Sequence, residues 1–514
     1  MGSAQIDLEG FYNVNQRSAR WKVGAQLVTH DKEDDRENAN YTPNGATLTM
    51  AEGDIGGAEI VDYFDGLIRF RPTLDVDAME AFFAANPDRF EYDPLDSLED
   101  SLASDFEASE DVLSAYAMTQ LTLLSDLTML VGLRVEQTSA DYAANELLYV
   151  DGDCEGDYRG VTGSHDYTNV LPGLHLAWRP RANVAVRLAW TNTIGRPNYA
   201  DLAPRRELDV LETDPGSGIY VGGLSTGNPD LKPYESMNFD LSLEYYLESA
   251  GILSAGVFHK EIDNPIYGRR TFETDVTMDG RFYSQLSTSA PANADKGKIT
   301  GVELNYSQPF TCLPAPFDGF GASVNFTLVD SSATLFTRDD ELPFFGQADS
   351  IANVSLYYEK HGWEARIAYA MTDQYLDGVG SSVETDTYIR DRSTLDAKVS
   401  YRFNERFRVF AEFLNLDSEP LREFTGVEVR ENDFEIYDWK AKFGVSYSLS
   451  VNAICPTLTR SSRDGTDAVS CRAKRCWRSP SCSARACGRS GPQVGRTILF
   501  RWGSPRVNPH PTAP

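Results

Sequence analysis

From residue 227 to residue 266 the chain reads as loop, long strand, short turn, long strand, loop. Residues 227–234 hold two prolines and a glycine and open as irregular structure. Phe239, Leu241, Leu243 and Tyr245 then alternate with Asp240, Ser242 and Glu244. A two-residue period puts apolar side chains on one face and polar ones on the other. After a break at residues 248–251 the alternation resumes through Leu253, Ala255 and Val257, and it stops at Asp263-Asn264-Pro265. The same unit recurs, with strands expected at 4–13, 18–30, 112–125, 127–138, 166–180, 183–193, 298–310, 321–330, 350–359, 363–373, 394–403, 407–416 and 437–449. That makes about 14–15 strands. Most run to about ten residues, above the five or six usual in soluble sheets and near the ~9–11 of a tilted transmembrane strand.

The connections alternate between short turns and long loops, the longest being 31–111, 197–234 and 267–295. Outer-membrane barrels follow this rule, with short periplasmic turns and long extracellular loops. Aromatic residues gather near strand ends, as at Tyr245-Tyr246, Tyr357-Tyr358 and Tyr401, where girdles would lie at the membrane interfaces. The expected fold is therefore all-β, an antiparallel transmembrane barrel over residues 1–449. Val186, Leu188, Trp190, Val302, Leu304, Tyr306, Phe443 and Val445 are expected to face lipid. Loop 31–111 holds 23 Asp and Glu against 5 Lys and Arg, and its stretch from Asp75 to Asn86 reads as a helix capped by Asp75. Aromatics such as Tyr63, Phe64, Phe82, Phe83 and Tyr92 accompany it. Its two readings are a gate over the pore and a solvated acidic surface loop.

Arg196-Pro197-Asn198-Tyr199 with Asp201-Leu202-Ala203-Pro204, the run GNPDLKP at 227–233, Asp263-Asn264-Pro265-Ile266, residues 298–303 and Phe413-Leu414-Asn415-Leu416 occur in that order. The ordered set resembles the barrel of TonB-dependent outer-membrane receptors over about residues 1–449. The resemblance implies energy-coupled import of a scarce nutrient, such as a sugar or siderophore, with the TonB complex as partner. It also implies a barrel of about 22 strands around a plug. Against that pattern the chain is expected to be the C-terminal part of the barrel, without the plug or the TonB-contacting segment.

The net charge of −30 makes nucleic acid an unsuitable partner. No apolar run is long enough for a transmembrane helix, which leaves a barrel open. The averages conceal a break near residue 450. Residues 451–514 hold 11 Lys and Arg against 2 Asp and Glu, and five of the seven cysteines. They lack zinc-ligand spacing, and His510 is their one histidine. The segment 450–514 is therefore read as a disordered basic tail produced by out-of-frame translation. Cys154 and Cys312 stand apart from that group.

The six histidines show no metal-ligand spacing, and the chain has neither a phosphate loop nor a nucleophile elbow. No enzyme and no cofactor is expected. Candidate ligand contacts are polar-side or strand-end residues: Arg187, Arg196, Asp240, Glu244, Glu303, Asn305 and Arg366. The favoured alternative for each is that it merely lines a wet interior, where such residues satisfy one another. Acidic loops disfavour anionic ligands and suit neutral sugars or cations. The alternatives to a receptor are a passive porin or structural barrel, and a soluble carbohydrate-binding β-protein.

Overall fold

A computed structural model describes residues 1–448, apart from 46–47, 54, 58–59, 64–67, 71–72, 152–157, 337 and 339. Phe64, Cys154 and the tail lie outside the described residues, and with them the expectations placed there. The main sheet has 19 strands. Fifteen of them form one antiparallel meander, in chain order: Gly2–Val14, Arg17–Asp34, Phe106–Leu124, Leu127–Val150, Tyr158–Arg181, Val184–Gly195, Tyr234–Tyr246, Ile252–Asp263, Lys296–Pro309, Phe320–Thr334, Ser350–Lys360, Trp363–Thr372, Arg392–Arg402, Phe407–Leu414 and Lys440–Tyr447. Each expected strand is present, most of them longer than the pattern indicated. The last is shorter: Tyr437, Asp438 and Trp439 precede it as irregular chain. Asn415 anchors them by donating to the Tyr437 carbonyl at 2.6 Å.

Turns at one end of the sheet are tight. Asn15 and Gln16 (φ 49° and 65°) and His361 and Gly362 (φ 54° and 82°) both turn with positive φ, as two-residue hairpins require. Connections at the other end are long and structured.

The two faces of the sheet differ sharply. Leu188, Leu241, Val257, Val302 and Leu328 lie directly opposite one another across five strands. Each is 41–50% exposed. A soluble sheet would cover such a row with a second layer, since continuous apolar patches of this extent are rare on soluble monomers. Here the row belongs to a band. On Leu127–Val150 the band covers Leu127, Met129, Val131, Leu133 and Val135, about 30 Å of strand at ~3.3 Å per residue. Tilted by about 40°, that is about 23 Å, close to the ~25 Å apolar band of an outer-membrane barrel. Beyond it the same face turns polar at Gln137, Ser139 and Asp141. At the tight-turn end, rings line its border: Trp363 and Tyr401 at 4.8 Å, Tyr401 and Phe403 at 4.8 Å, Phe320 and Tyr358 at 4.9 Å.

Two long connections depart from the sequence reading. Residues 197–234 contain strands Arg206–Glu212 and Ile219–Thr226, and 267–295 are almost wholly the hairpin Ile266–Met278 with Arg281–Asn293. Asp279-Gly280 (φ 50° and 78°) makes the turn of that hairpin, a strong short-range signal that the pattern reading passed over. These strands join the sheet through two parallel pairings, Arg206–Glu212 with Leu127–Val150 and Ile219–Thr226 with Arg281–Asn293. In the connection 35–105, helix Val76–Ala85 forms where expected, and Asp75 caps it by accepting from the Ala78 amide at 3.0 Å. A second helix, Pro94–Ser104, is capped by Asp93 in the same way.

Candidate functional site

The polar face carries two assemblies of side chains. The first lies at the long-loop end. There Phe106, Ala108, Ala140, Tyr142 and Ala144, from two neighbouring strands, pack against Leu202, Ala203 and Leu231 of the connection 196–233. The segments are held by backbone. Gly227 donates to the Arg205 carbonyl at 3.0 Å, and Asn228 to the Asp201 carbonyl at 2.7 Å. A Cβ at Gly227 would sit 1.8 Å from the Ala203 carbonyl oxygen, so only glycine allows this approach. Asn293 ties in the third segment, donating to the Lys232 carbonyl at 3.0 Å and the Asn264 carbonyl at 2.9 Å. Tyr234 donates to the Ile266 carbonyl at 3.1 Å. The three loop segments 196–204, 227–233 and 263–266 thus meet as one brace seated on the polar face. Gly227→Ala is expected to cost about 1–3 kcal/mol by overpacking. Hydrogen exchange should show it as faster opening confined to residues 196–234.

Arg196 belongs to this brace. Its guanidinium donates to Glu136 at 2.7 Å and Thr138 at 3.3 Å, and lies 3.8 Å from Glu110. Glu110, Glu136 and Thr138 are buried. Tyr199 donates to Glu110 at 3.2 Å. Burial, reinforced by the Glu110 carboxylate, pushes the Tyr199 hydroxyl up to about 12, so it stays a donor. Arg196 is committed to protein partners that hold the loop.

The second assembly lies level with the apolar band. Arg187 and Glu244 pair across adjacent strands. Glu303 shares a row with Arg187, and Asn305 shares one with Glu244. Asp240 sits one row further toward the loops. Asp240 and Glu303 make no hydrogen bond or ion pair among the described residues. Asn305 approaches the Ser254 hydroxyl at 3.5 Å. The Asn305 row continues through Asn325, Asn353, Ala370 and Thr394. Arg366 lies two rows from it toward the tight turns, paired with Tyr357, its guanidinium 5.3 Å from the Tyr357 ring. Six of the seven candidates therefore share one polar field, and Arg196 stands apart from it. Sequence reading missed Asn325 and Asn353. Each alternates with apolar neighbours on its own strand, but only the register aligns them with Asn305.

A third polar group lies in the long connections near the C-terminal strands. Arg338 donates to Asp386 at 2.6 Å, to Asp340 at 2.9 Å and to the Gly380 carbonyl at 3.3 Å. The Arg338 side chain is 5% exposed and that of Asp386 is 0% exposed. Asp386 also accepts from the Gly380 amide at 2.8 Å. The pair locks a four-stranded sheet, Tyr375–Gly378, Thr387–Ile389, Leu421–Thr425 and Glu431–Glu435, together with the loop that carries Arg338. The Arg338 guanidinium holds the Asp340 carboxyl below its ordinary value of 3.8. Among the described residues, no group of three His, Cys, Asp or Glu side chains is placed to hold a metal ion.

Comparison with known proteins places this architecture. The family model described as "TonB dependent receptor-like, beta-barrel" matches residues 3–416. No curated protein matches the sequence. The ferric-catecholate import receptor Fiu from E. coli K12, in its closed form, superposes with a TM-score of 0.53 at 12% identity, covering 86% of this chain and 53% of that one. The ferric citrate transporter FecA, unliganded, gives 0.51 at 10% identity, covering 86% and 54%. At such identities the likeness is one of fold, and the chain spans about half the length of these structures. With an apolar band on one face, a polar field on the other and a loop brace built from the motif segments, the chain belongs to the TonB-dependent receptor β-barrel family.

Proposed function

We propose that this chain forms much of the wall of an outer-membrane receptor that imports a small nutrient at the expense of energy delivered through TonB. Receptors of this family are transport proteins of the bacterial outer membrane, not enzymes. The observation that carries the reading is the contrast of faces at one height. The apolar band suits lipid, while the opposite face holds charged and amide side chains without apolar cover, as a barrel lumen does. The brace covers the long-loop end of that lumen, and we assign to it and to the lobe 35–105 the role of an outer cap.

Among the described residues, Gly2–Val14 and Lys440–Tyr447 each keep one edge unpaired. Open edges are not tolerated in hydrocarbon, so a working barrel closes both of them, against each other or against further strands. The solved neighbours act on ferric catecholates and ferric citrate by their names, and ferric chelates are one ligand class to test.

The test is uptake in cells that express the whole receptor, offered radiolabelled ferric siderophores and oligosaccharides. Transport of the cognate solute is expected to stop when a proton uncoupler collapses the inner-membrane gradient. Uptake that continues unchanged would identify a passive porin instead.

A further inference from the structure

We propose that the lobe 35–105 is a docking surface for a separate polypeptide that is cationic and amphipathic, with bulky apolar side chains along one side of a helix and Lys or Arg beside them. The proposal goes beyond the import reading and uses it only to place the lobe outside the cell. Two helices carry it, Val76–Ala85 and Pro94–Ser104, because each leaves its apolar side chains to solvent. Val76, Met79 and Phe83 follow the i, i+3, i+7 spacing of one helical stripe, and they are 37–61% exposed. That helix holds no buried residue at all.

The second helix is inverted. Its buried residues are Ser97, Glu99 and Ser101, whereas Leu95 and Leu98, one turn apart, are exposed. Hydrogen bonds account for this. The Ser97 and Ser101 hydroxyls accept from the Asn40 and Asn38 amides at 2.8 and 2.9 Å, and the Asn38 side chain donates to the Asp100 carbonyl at 3.0 Å. The helix thus grips the segment 38–40 through its polar groups. Tyr41, the next residue, packs on Phe83 with ring centroids 5.0 Å apart and on its cross-strand partner Tyr92 at 5.5 Å. Both tyrosines stay half exposed. Both helices therefore seat on one hairpin, Asn40–Pro43 with Phe90–Asp93, and neither hides its apolar stripe there. Apolar side chains exposed together in this way mark an interaction site, and tyrosine and methionine are residues that contact surfaces favour.

Charge selects the occupant. Residues 73–105 hold ten Asp and Glu against one Lys or Arg. A second copy would bring the same charge to the contact and set carboxylates against carboxylates. An anionic headgroup surface is repelled for the same reason. The rest of the chain offers no net countercharge, since residues 1–450 hold 75 Asp and Glu against 36 Lys and Arg. A partner must therefore bring its own cations together with its apolar anchors. Asp77 and Glu80 on the first helix and Asp96 on the second are exposed beside the stripes and would meet those cations at the rim. There Coulomb attraction speeds encounter, while apolar contact at the centre supplies affinity.

The test uses the full chain in nanodiscs of zwitterionic phosphatidylcholine, with empty discs as background. The probe is a short fluorescein-labelled helical peptide of Leu and Lys at amphipathic spacing, read by anisotropy. It is expected to bind, and the same peptide with Glu in place of Lys, or with Ser in place of Leu, to bind at least tenfold more weakly. Met79→Ser combined with Leu98→Ser, and separately Asp77→Asn combined with Glu80→Gln, should each weaken binding tenfold or more. All four side chains are exposed, so the circular dichroism spectrum should not change. Asp141→Asn with Asp166→Asn removes as much charge from the wall and should leave binding unchanged. The proposal is overturned if the Leu–Lys peptide does not bind, if the lobe variants bind it as well as the parent does, if the wall variant weakens it equally, or if sedimentation shows the chain pairing with itself through the lobe. Because binding is read on purified protein, it stands or falls apart from uncoupler-sensitive uptake.

Discussion

Leu304→Arg is expected to destabilise the folded sheet by about 2–4 kcal/mol in a bilayer, and Glu303→Arg by far less. The two residues are neighbours on one strand, so the backbone, the register and the chain's local propensities are shared. They differ only in face. Leu304 lies opposite Ala255 and Phe326 in the apolar band and is 48% exposed. Glu303 lies opposite Gly256 and Thr327 on the polar side. A guanidinium at position 304 would enter hydrocarbon with no partner, whereas at 303 it would meet a wet lumen already holding Arg187 in the same row. Denaturant titration of the two variants in lipid vesicles measures the difference. Equal losses would mean that the faces have been assigned the wrong way or that the band does not meet lipid.

The second large effect is expected in the loops. Arg338→Met should open the four-stranded sheet within residues 375–435 while leaving the strands of the meander intact. Removing the guanidinium leaves Asp386, fully buried, without its cation, and an uncompensated buried charge of this kind costs about 3–5 kcal/mol. Hydrogen exchange should therefore quicken at least a hundredfold over 375–389 and 421–435, and little in the strands of the meander. Replacing both partners, by Arg338→Met with Asp386→Leu, should recover most of the loss, because a well-packed apolar pair can substitute for a buried ion pair. The parent protein also carries an acid signature. The Asp340 carboxyl is held below 3.8 by Arg338, so its contribution is fully present above that value. It is lost as the pH falls below 3.8 and through the lowered value in the folded protein. In Arg338→Met this acid step should vanish. If the four-stranded sheet opens with the same pH profile in both proteins, the step belongs to another carboxylate.

These expectations give the family-specific segments a physical role. The runs at 196–204, 227–233 and 263–266 are remote from one another in sequence, and their residues are spent on one another. Gly227 is needed for backbone contact, and Leu231 and Ala203 for apolar packing. Arg196 engages two buried glutamates. A motif that identifies a receptor need not touch its ligand. Here the motif residues hold the loops together over the polar face of the sheet.

What the chain's own pattern determined is the wall. Alternation of apolar and polar residues has the same two-residue period as the pleat, so Leu241 and Asp240 could be assigned to opposite faces before any partner strand was known. The same holds for the tight turns and for the Asp75 cap, which are set by residues within a few positions of one another. The hairpin around Asp279-Gly280 is likewise encoded locally, by two adjacent residues that adopt positive φ. Tertiary structure alone decided which polar residues meet. Register across the sheet brings Asn305, Asn325 and Asn353 into one row, and no period along a single strand encodes that alignment. The Arg338–Asp386 pair joins residues 48 positions apart, and the Arg196 cluster joins strands and loops up to 89 positions apart. Burial turned those charges from surface residues into locks, because a carboxylate withdrawn from water must find its cation inside the fold.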